Sequence, residues 1–287
     1  MTHTEQRQRL RAILTGNACL SPASVYDGLS ARVAESVGYT FGMLAGSVAS
    51  NTTLAAPDLI VLTLTEFADQ IRRIMRASDL SLLVDADHGY GNALNVMRTV
   101  QEVEHAGASA LSIEDTVLPL RFGAPEGVDE VISTEEMVGK LRAAVLARKD
   151  PSFVILGRTS SLKAEGLDGA GARAKVYAAT GVDGIFVVGL ETLDQAEAIH
   201  QACGLPLVIG TAPASIKAAD LAARGARVLL LGHQPLAAAV KALRETYQHL
   251  YAGSPASELR DRIASGAEMN SYTAGDDYRT WVGDYLR

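Results

Sequence analysis

Eight short apolar runs, most of them separated by amphipathic stretches, constrain the fold of this 287-residue chain more than any other feature. They lie at residues 18–21, 40–45, 80–85, 109–114, 153–158, 184–188, 205–209 and 227–231. Most intervening segments are long enough for a crossover helix, and strands that alternate with helices pair in parallel. Eight such units in a chain near the roughly 250 residues usual for the architecture predict a closed (β/α)8 TIM-type barrel rather than an open doubly wound sheet. An apolar fraction of 48% supplies a sizeable core, and 5% aromatics make it an aliphatic one.

Helix-start signals agree with that alternation. Ser133-Thr134-Glu135-Glu136 and Thr192-Leu193-Asp194-Gln195 are capping boxes, each with a hydroxyl at the N-cap and a Glu or Gln three residues on. A helix over about 4–16 is expected before the first strand. A helical tail over about 255–287 is expected after the last barrel helix. It carries Tyr272, Tyr278, Trp281 and Tyr285, which would face water unless they pack on the barrel wall or a neighbouring subunit. No linker or composition shift divides the chain, so residues 1–287 are read as one barrel domain with that tail. Gly166-Leu167-Asp168-Gly169-Ala170-Gly171 lacks the Lys-Ser/Thr of a phosphate loop and is read as a flexible loop leading into the helix after the fifth strand.

A net charge of −7 with scattered basic residues argues against nucleic acid as the main partner. Cys19 and Cys203 are 184 positions apart and form neither a disulfide framework nor a zinc ligand set, and Cys19 is expected to be a small buried residue. Early Glu5, Gln6 and Arg7 interrupt any signal-peptide pattern, and no run reaches the ~18–20 apolar residues of a membrane span. A cytoplasmic protein with no membrane partner is the expectation.

Chemistry in such a barrel gathers at the C-terminal strand ends. The third run ends in Asp85-Ala86-Asp87-His88-Gly89-Tyr90-Gly91, and strand alternation predicts that Asp85 and Asp87 point to one side. Two carboxylates there need a positive partner, and a hard divalent cation such as Mg²⁺ prefers carboxylate and water oxygens. The second run ends in Ala45-Gly46-Ser47, the fourth in Glu114-Asp115, the fifth in Arg158 and the eighth in Gly232-His233-Gln234. Acids, one arginine and one histidine are therefore expected at one mouth. Asp58 is a loop acid that spacing alone would equally assign to a cap or to solvent. His88 starts on the opposite face from Asp87 and is read as supporting the site rather than ligating. His105 and His200 fall within helices.

These residues carry a resemblance. Asp85-x-Asp87-x-Gly89-Tyr90-Gly91, Ser112-Ile113-Glu114-Asp115, Gly157-Arg158-Thr159 and Ser24-Val25-Tyr26-Asp27-Gly28-Leu29-Ser30-Ala31-Arg32 resemble the phosphoenolpyruvate mutase/isocitrate lyase superfamily. Pro57-Asp58-Leu59 with Leu62-Thr63-Leu64-Thr65-Glu66 is similar to its methylisocitrate lyase branch. The resemblance spans about residues 17–235. It implies a barrel whose eighth helix is swapped between subunits, dimers paired into homotetramers, and Mg²⁺ (or Mn²⁺) that binds 2-oxo acids or their enolates. By position, it implies Asp85 as the direct metal ligand, with Asp58, Asp87 and Glu114 reaching the ion through water. It also implies Gly46 and Ser47 on the substrate's metal-side carboxylate and Arg158 on an anionic end of the substrate.

Departures from the family pattern narrow the implied activity. The lyases carry a Lys-x-Cys-Gly-His loop after the fourth strand, and phosphoenolpyruvate mutases a Lys-Thr-Asn-Ser-like gate. Here the stretch reads Thr116-Val117-Leu118-Pro119-Leu120-Arg121-Phe122-Gly123-Ala124-Pro125, which matches neither. Ser160 stands where many relatives have Asp. A metal, an arginine and no thiol suit β-decarboxylation, in which a metal-bound 2-oxo carboxylate withdraws electrons and stabilises the enolate left as CO₂ departs. His233 then suits the distal carboxylate or the proton donor. The resemblance is strongest to the superfamily's bacterial oxaloacetate decarboxylase branch, implying release of pyruvate and CO₂ from oxaloacetate. The alternatives are a C–C lyase acting on a 2-alkylmalate or methylisocitrate-like substrate, and a 2-oxo-acid binding protein with little turnover.

Overall fold

The computed structural model describes residues 1–123 and 130–287. Helix α1 (His3–Thr15) precedes β1 (Ala23–Ser24), α2 (Gly28–Val37), β2 (Phe41–Leu44), α3 (Gly46–Leu54) and α4 (Leu64–Ala77). Next come β3 (Ser81–Asp85), α5 (Ala93–His105), β4 (Ala110–Glu114), α6 (Thr134–Ala147), β5 (Val154–Thr159) and α7 (Ser161–Ala178). The barrel finishes with β6 (Gly184–Val187), α8 (Leu193–Cys203), β7 (Leu207–Ile209), α9 (Ala218–Ala222), β8 (Ala226–Leu229) and α10 (Gln234–Tyr251). A 3₁₀ segment (Ala256–Arg262), α11 (Gly266–Tyr272) and α12 (Gly275–Tyr285) form the tail.

The eight strands are parallel and lie in sequence order, as the alternating pattern predicts for a (β/α)8 barrel. Closure between the last strand and the first falls to Leu20. It bridges Val228, donates to Arg227 O at 2.9 Å and accepts from Leu229 N at 3.0 Å. The run at 18–21 therefore contributes one bridge rather than the whole first strand. Pro22 has no N–H to continue the ladder, and pairing with β2 resumes at Ala23. The core is aliphatic: Leu44, Leu82, Leu83, Leu111, Ile113, Ile155 and Ile185 are all buried. Cys19 is buried as well, which pushes its thiol up to about 11.

The capping box at Thr192 is complete, whereas Ser133 accepts from Glu136 N without a reciprocal bond from the Glu136 side chain. The glycine-rich stretch from Gly166 to Gly171 is not a loop. It lies inside α7, where Gly166 alone departs from helical geometry at φ +73°. That kink brings Glu165 against Gly169, where a Cβ would meet the Glu165 Cβ at 2.4 Å. The glycine at 169 thus permits a close approach between two helical pieces.

No helix among the described residues is long and apolar enough to cross a membrane. Two elements pack only lightly against the core, α10 through Leu236. None of the residues of α10 is buried, and Val240, Leu243, Tyr247 and Leu250 are exposed along it. In the tail, α11 touches α2, with Arg32 donating to Tyr272 O at 3.1 Å, while Tyr278, Trp281 and Tyr285 of α12 remain exposed.

Candidate active site

Register decides which side chains become neighbours at the C-terminal mouth. Asp85 pairs with Ser112 across β3 and β4, and Glu114 with Arg158 across β4 and β5. Ser112 Oγ accordingly donates to Asp85 Oδ1 at 3.0 Å, and Arg158 Nη2 lies 3.1 Å from Glu114 Oε2. Arg158 Nη1 donates to the other Asp85 oxygen, so a single guanidinium ties two carboxylates from different strands. Its plane rests over Phe186 of β6, 5.3 Å from the ring centroid. Its Nε is buried with no hydrogen-bond partner among the described residues. Thr116 Oγ1 donates to Glu114 Oε2 at 3.0 Å.

A cavity of about 480 Å³ opens here, and Ser47, Asp58, Asp85, Asp87, Glu114, Arg158 and His233 all line it. Gly46 begins α3 directly beneath; a Cβ there would sit 2.4 Å from Asp87 Oδ1, so only glycine leaves that carboxylate its place. Across the mouth, His233 caps the start of α10, and its Nδ1 lies 2.9 Å from Ser24 Oγ of β1. That contact occupies one ring nitrogen, Nδ1.

Asp85 and Asp87 do converge, but not by strand alternation. β3 ends at Asp85, and Asp87 turns back toward the cavity through a left-handed backbone, φ +47°. A non-glycine residue in that region stores strain and is held by its surroundings. Asp115 is a correction. It is fully buried on the far side of β4 from Glu114, as period-2 alternation requires, and does not line the cavity. Instead it accepts from Thr159 Oγ1 at 2.7 Å, Ser160 N at 3.1 Å and Tyr177 OH at 2.8 Å, with Arg173 3.6 Å away. The carboxylate thereby anchors the end of β5, one residue beyond Arg158.

The electrostatics reflect crowding of like charge. Burial, reinforced by Asp85, Glu114 and Asp58, pushes Asp87 up to about 8. Burial also raises Glu114, to about 7, with Arg158 opposing and Asp85 adding to the effect. Asp58 is exposed as a residue at the rim, yet partial desolvation of its carboxyl and the Asp85 charge raise it. Burial lowers His233, although Asp85 and Asp58 pull the other way. His88 is buried outside the cavity, lowered to about 4 by burial and by Lys140.

Among the lining residues that escaped the sequence reading are Lys163, Thr116 and Phe186. Lys163 sits five residues past Arg158 in the first turn of α7, a position that a helix starting at Ser161 would have exposed. Phe186 had no polar signal; only its place on the strand beside Arg158 marks it. Of the loop at 116–125, Ala124 and Pro125 lie outside the described residues. Neither Cys19 nor Cys203 lines the cavity.

An acidic cavity at the C-terminal end of a (β/α)8 barrel, with one arginine tying its carboxylates and a histidine opposite, defines a class of barrel enzymes for small anionic substrates. The chain belongs to the phosphoenolpyruvate mutase/isocitrate lyase superfamily: the Phosphoenolpyruvate phosphomutase family profile matches residues 10–251. It is 51% identical over 278 residues to the oxaloacetate decarboxylase of Bradyrhizobium sp. (strain BTAi1), covering 94% of this chain and 96% of that protein. It is 50% identical over 260 residues to the oxaloacetate decarboxylase of Rhodopseudomonas palustris (strain BisB5), covering 90% and 89%. Among solved structures, it is similar to phosphonopyruvate hydrolase in complex with oxalate and Mg²⁺, with a TM-score of 0.85, 29% identity and full coverage of both chains. Oxaloacetate acetylhydrolase with 3,3-difluorooxalacetate superposes with a TM-score of 0.86 at 27% identity, covering 98% and 97%.

Proposed function

We propose that this chain catalyses Mg²⁺-dependent decarboxylation of oxaloacetate to pyruvate and CO₂. The observation that carries the reading is the cavity's inventory: four lining acids, one arginine, one lysine, one histidine and no thiol. Relatives of about half identity over nearly the whole chain bear that activity in their names.

The donor set suits a hard cation, because every acidic donor is oxygen and buried carboxylates of like charge want a positive partner. No three Asp, Glu, His or Cys side chains among the described residues converge tightly enough to ligate a metal together. The resemblance to the superfamily implies Asp85 as the one direct ligand, with Asp58, Asp87 and Glu114 engaging through water. When bound, the cation supplies the electron sink that the breaking C–C bond requires.

The remaining work falls to the chain. Arg158, with a buried Nε that has no partner among the described residues and two charged contacts already oriented, holds an anionic end of the substrate. Gly46 N–H and Ser47 take the carboxylate next to the 2-oxo group. His233, braced at Nδ1 by Ser24, presents Nε2 to the distal carboxylate or delivers the proton to C3. The lyase alternative lacks an acid–base thiol, since both cysteines lie away from the cavity. Pyruvate release from oxaloacetate, measured with Mg²⁺ and with chelator for wild type and His233→Ala, tests the proposal. A fast metal-dependent rate that falls on substitution is expected; a wild-type rate no better than free Mg²⁺ would overturn it.

We also infer that 1–287 works as one barrel unit in the cytoplasm, with α10 crossing to a second copy and dimers pairing into tetramers. The support is an amphipathic helix with no buried residue beside an apolar groove lined by Leu29, Val33, Val37 and Tyr39. The tail over 255–287 then packs within that assembly. Light scattering should give a tetramer mass; a monomer would remove the swap.

A further inference from the structure

Three consecutive carbonyls in the loop after β3 are each taken by a donor from a different element. Asp87 O accepts from Glu114 N at 2.8 Å, across to β4. His88 O accepts from Lys140 Nζ of α6 at 3.1 Å. Gly89 O accepts from Thr99 Oγ1 of α5 at 3.0 Å, a hydroxyl shared with Asn95 O at 3.1 Å. The chain does not adopt this loop readily, because Asp87 (φ +47°) and Tyr90 (φ +62°) both lie in the left-handed region. Such conformations persist only where neighbours over-determine them.

The two side-chain donors are unusual in their placement. Lys140 is 3% exposed and Thr99 is fully buried. An ammonium in a core is costly unless it is bonded, and a methionine would fill similar space without that cost. Lys140 nonetheless spends its head group on a main-chain carbonyl one residue past Asp87. A carbonyl so buried would be left unsatisfied by any apolar replacement, and the loop would gain by turning it outward. Turning it rotates the peptide that joins His88 to Gly89, directly after the one whose carbonyl Glu114 N holds, and so loosens the turn in which Asp87 keeps its left-handed backbone.

We propose that Lys140 and Thr99 are positioning residues for the cation site, clamping the loop so that Asp87 stays beside Asp85 and Gly46. The inference rests on the proposed divalent-cation reading of those acids. It assigns work to two residues outside the cavity that touch neither metal nor substrate. Removing the outer support of a metal-binding group commonly weakens affinity about 10–100-fold.

The test is direct Mn²⁺ binding, followed by electron paramagnetic resonance of the free ion, on full-length wild type, Lys140→Met, Thr99→Val and Thr99→Ser. Thr99→Val is nearly isosteric and keeps the proposal testable if Lys140→Met fails to fold. Expected are roughly 10–100-fold weaker Mn²⁺ binding by Lys140→Met and Thr99→Val, near-wild-type binding by Thr99→Ser, and a largely unchanged kcat at saturating Mn²⁺. A folded Thr99→Val that melts earlier yet binds Mn²⁺ as wild type does would reduce the contact to packing and overturn the proposal. A wild type that binds no Mn²⁺ would instead overturn the cation reading itself and this inference with it.

Discussion

Replacing Arg158 with lysine tests the centre of the site with the least change of charge. The guanidinium spans Asp85 and Glu114 with two nitrogens and lies over Phe186. An ammonium is a single point and serves one of those carboxylates at a time. The substitution therefore forfeits one charge-assisted hydrogen bond, about 1.5–3 kcal/mol. At about 1.4 kcal/mol per tenfold, the KM for oxaloacetate should rise roughly 10- to 100-fold, because the acid left uncovered repels an incoming dianion. Loss at the stacked ring adds to this, about 0.5–1 kcal/mol. The assay is initial-rate pyruvate formation coupled to lactate dehydrogenase, with the rate of free Mg²⁺ subtracted. A melting temperature measured alongside separates a weakened site from a weakened fold. A KM that stays within about twofold of wild type would refute the argument, since one charged hydrogen bond is worth more than that.

Asp85→Ala should abolish metal-dependent turnover while the barrel still folds. Circular dichroism and the coupled assay would show this, and retained turnover would take Asp85 out of the site. Stability of the metal-free protein should fall as pH rises. Asp87 and Glu114 ionise near pH 4 when unfolded but are raised by burial to about 8 and about 7 when folded. Between those limits the native state holds protons that the unfolded chain releases, so stability present near pH 5 is lost through pH 7–8. Thermal melts from pH 5 to 9 should drop without metal and recover on adding Mg²⁺, most strongly at the alkaline end. A flat profile would mean the acids are not crowded as described.

The barrel was legible because the strands are short apolar runs and several of the helices between them start at a capping residue, as at Ser133 and Thr192. The site was legible because its residues sit at strand ends, where sequence position and spatial position coincide. Where the reading failed, a second physical effect intervened. Asp115 follows Glu114 directly, and alternation sends it behind the sheet. Pro22 broke the first strand in two. Helix-favouring residues around Gly166, such as Lys163, Ala164, Arg173 and Ala174, outweighed the glycines and left only a kink. Asp87 reached the cavity through a left-handed residue, which no alternation rule predicts. Phe186 and Thr116 have no sequence mark of their own, because their role comes from what crosses beside them.

His233 is the residue at which the chain leaves the barrel wall and begins α10, a helix none of whose residues is buried. The imidazole proposed for proton delivery thus stands at the root of an element that its own subunit grips only near its start, at Leu236. Ser24 fixes the ring from one side, while the helix that continues from it takes its footing elsewhere. If α10 docks on a second copy, each subunit borrows rigidity for its histidine from its neighbour. Turnover then depends on association even though no borrowed atom enters the cavity, and dissociation would slacken the catalytic geometry before it loosened the fold.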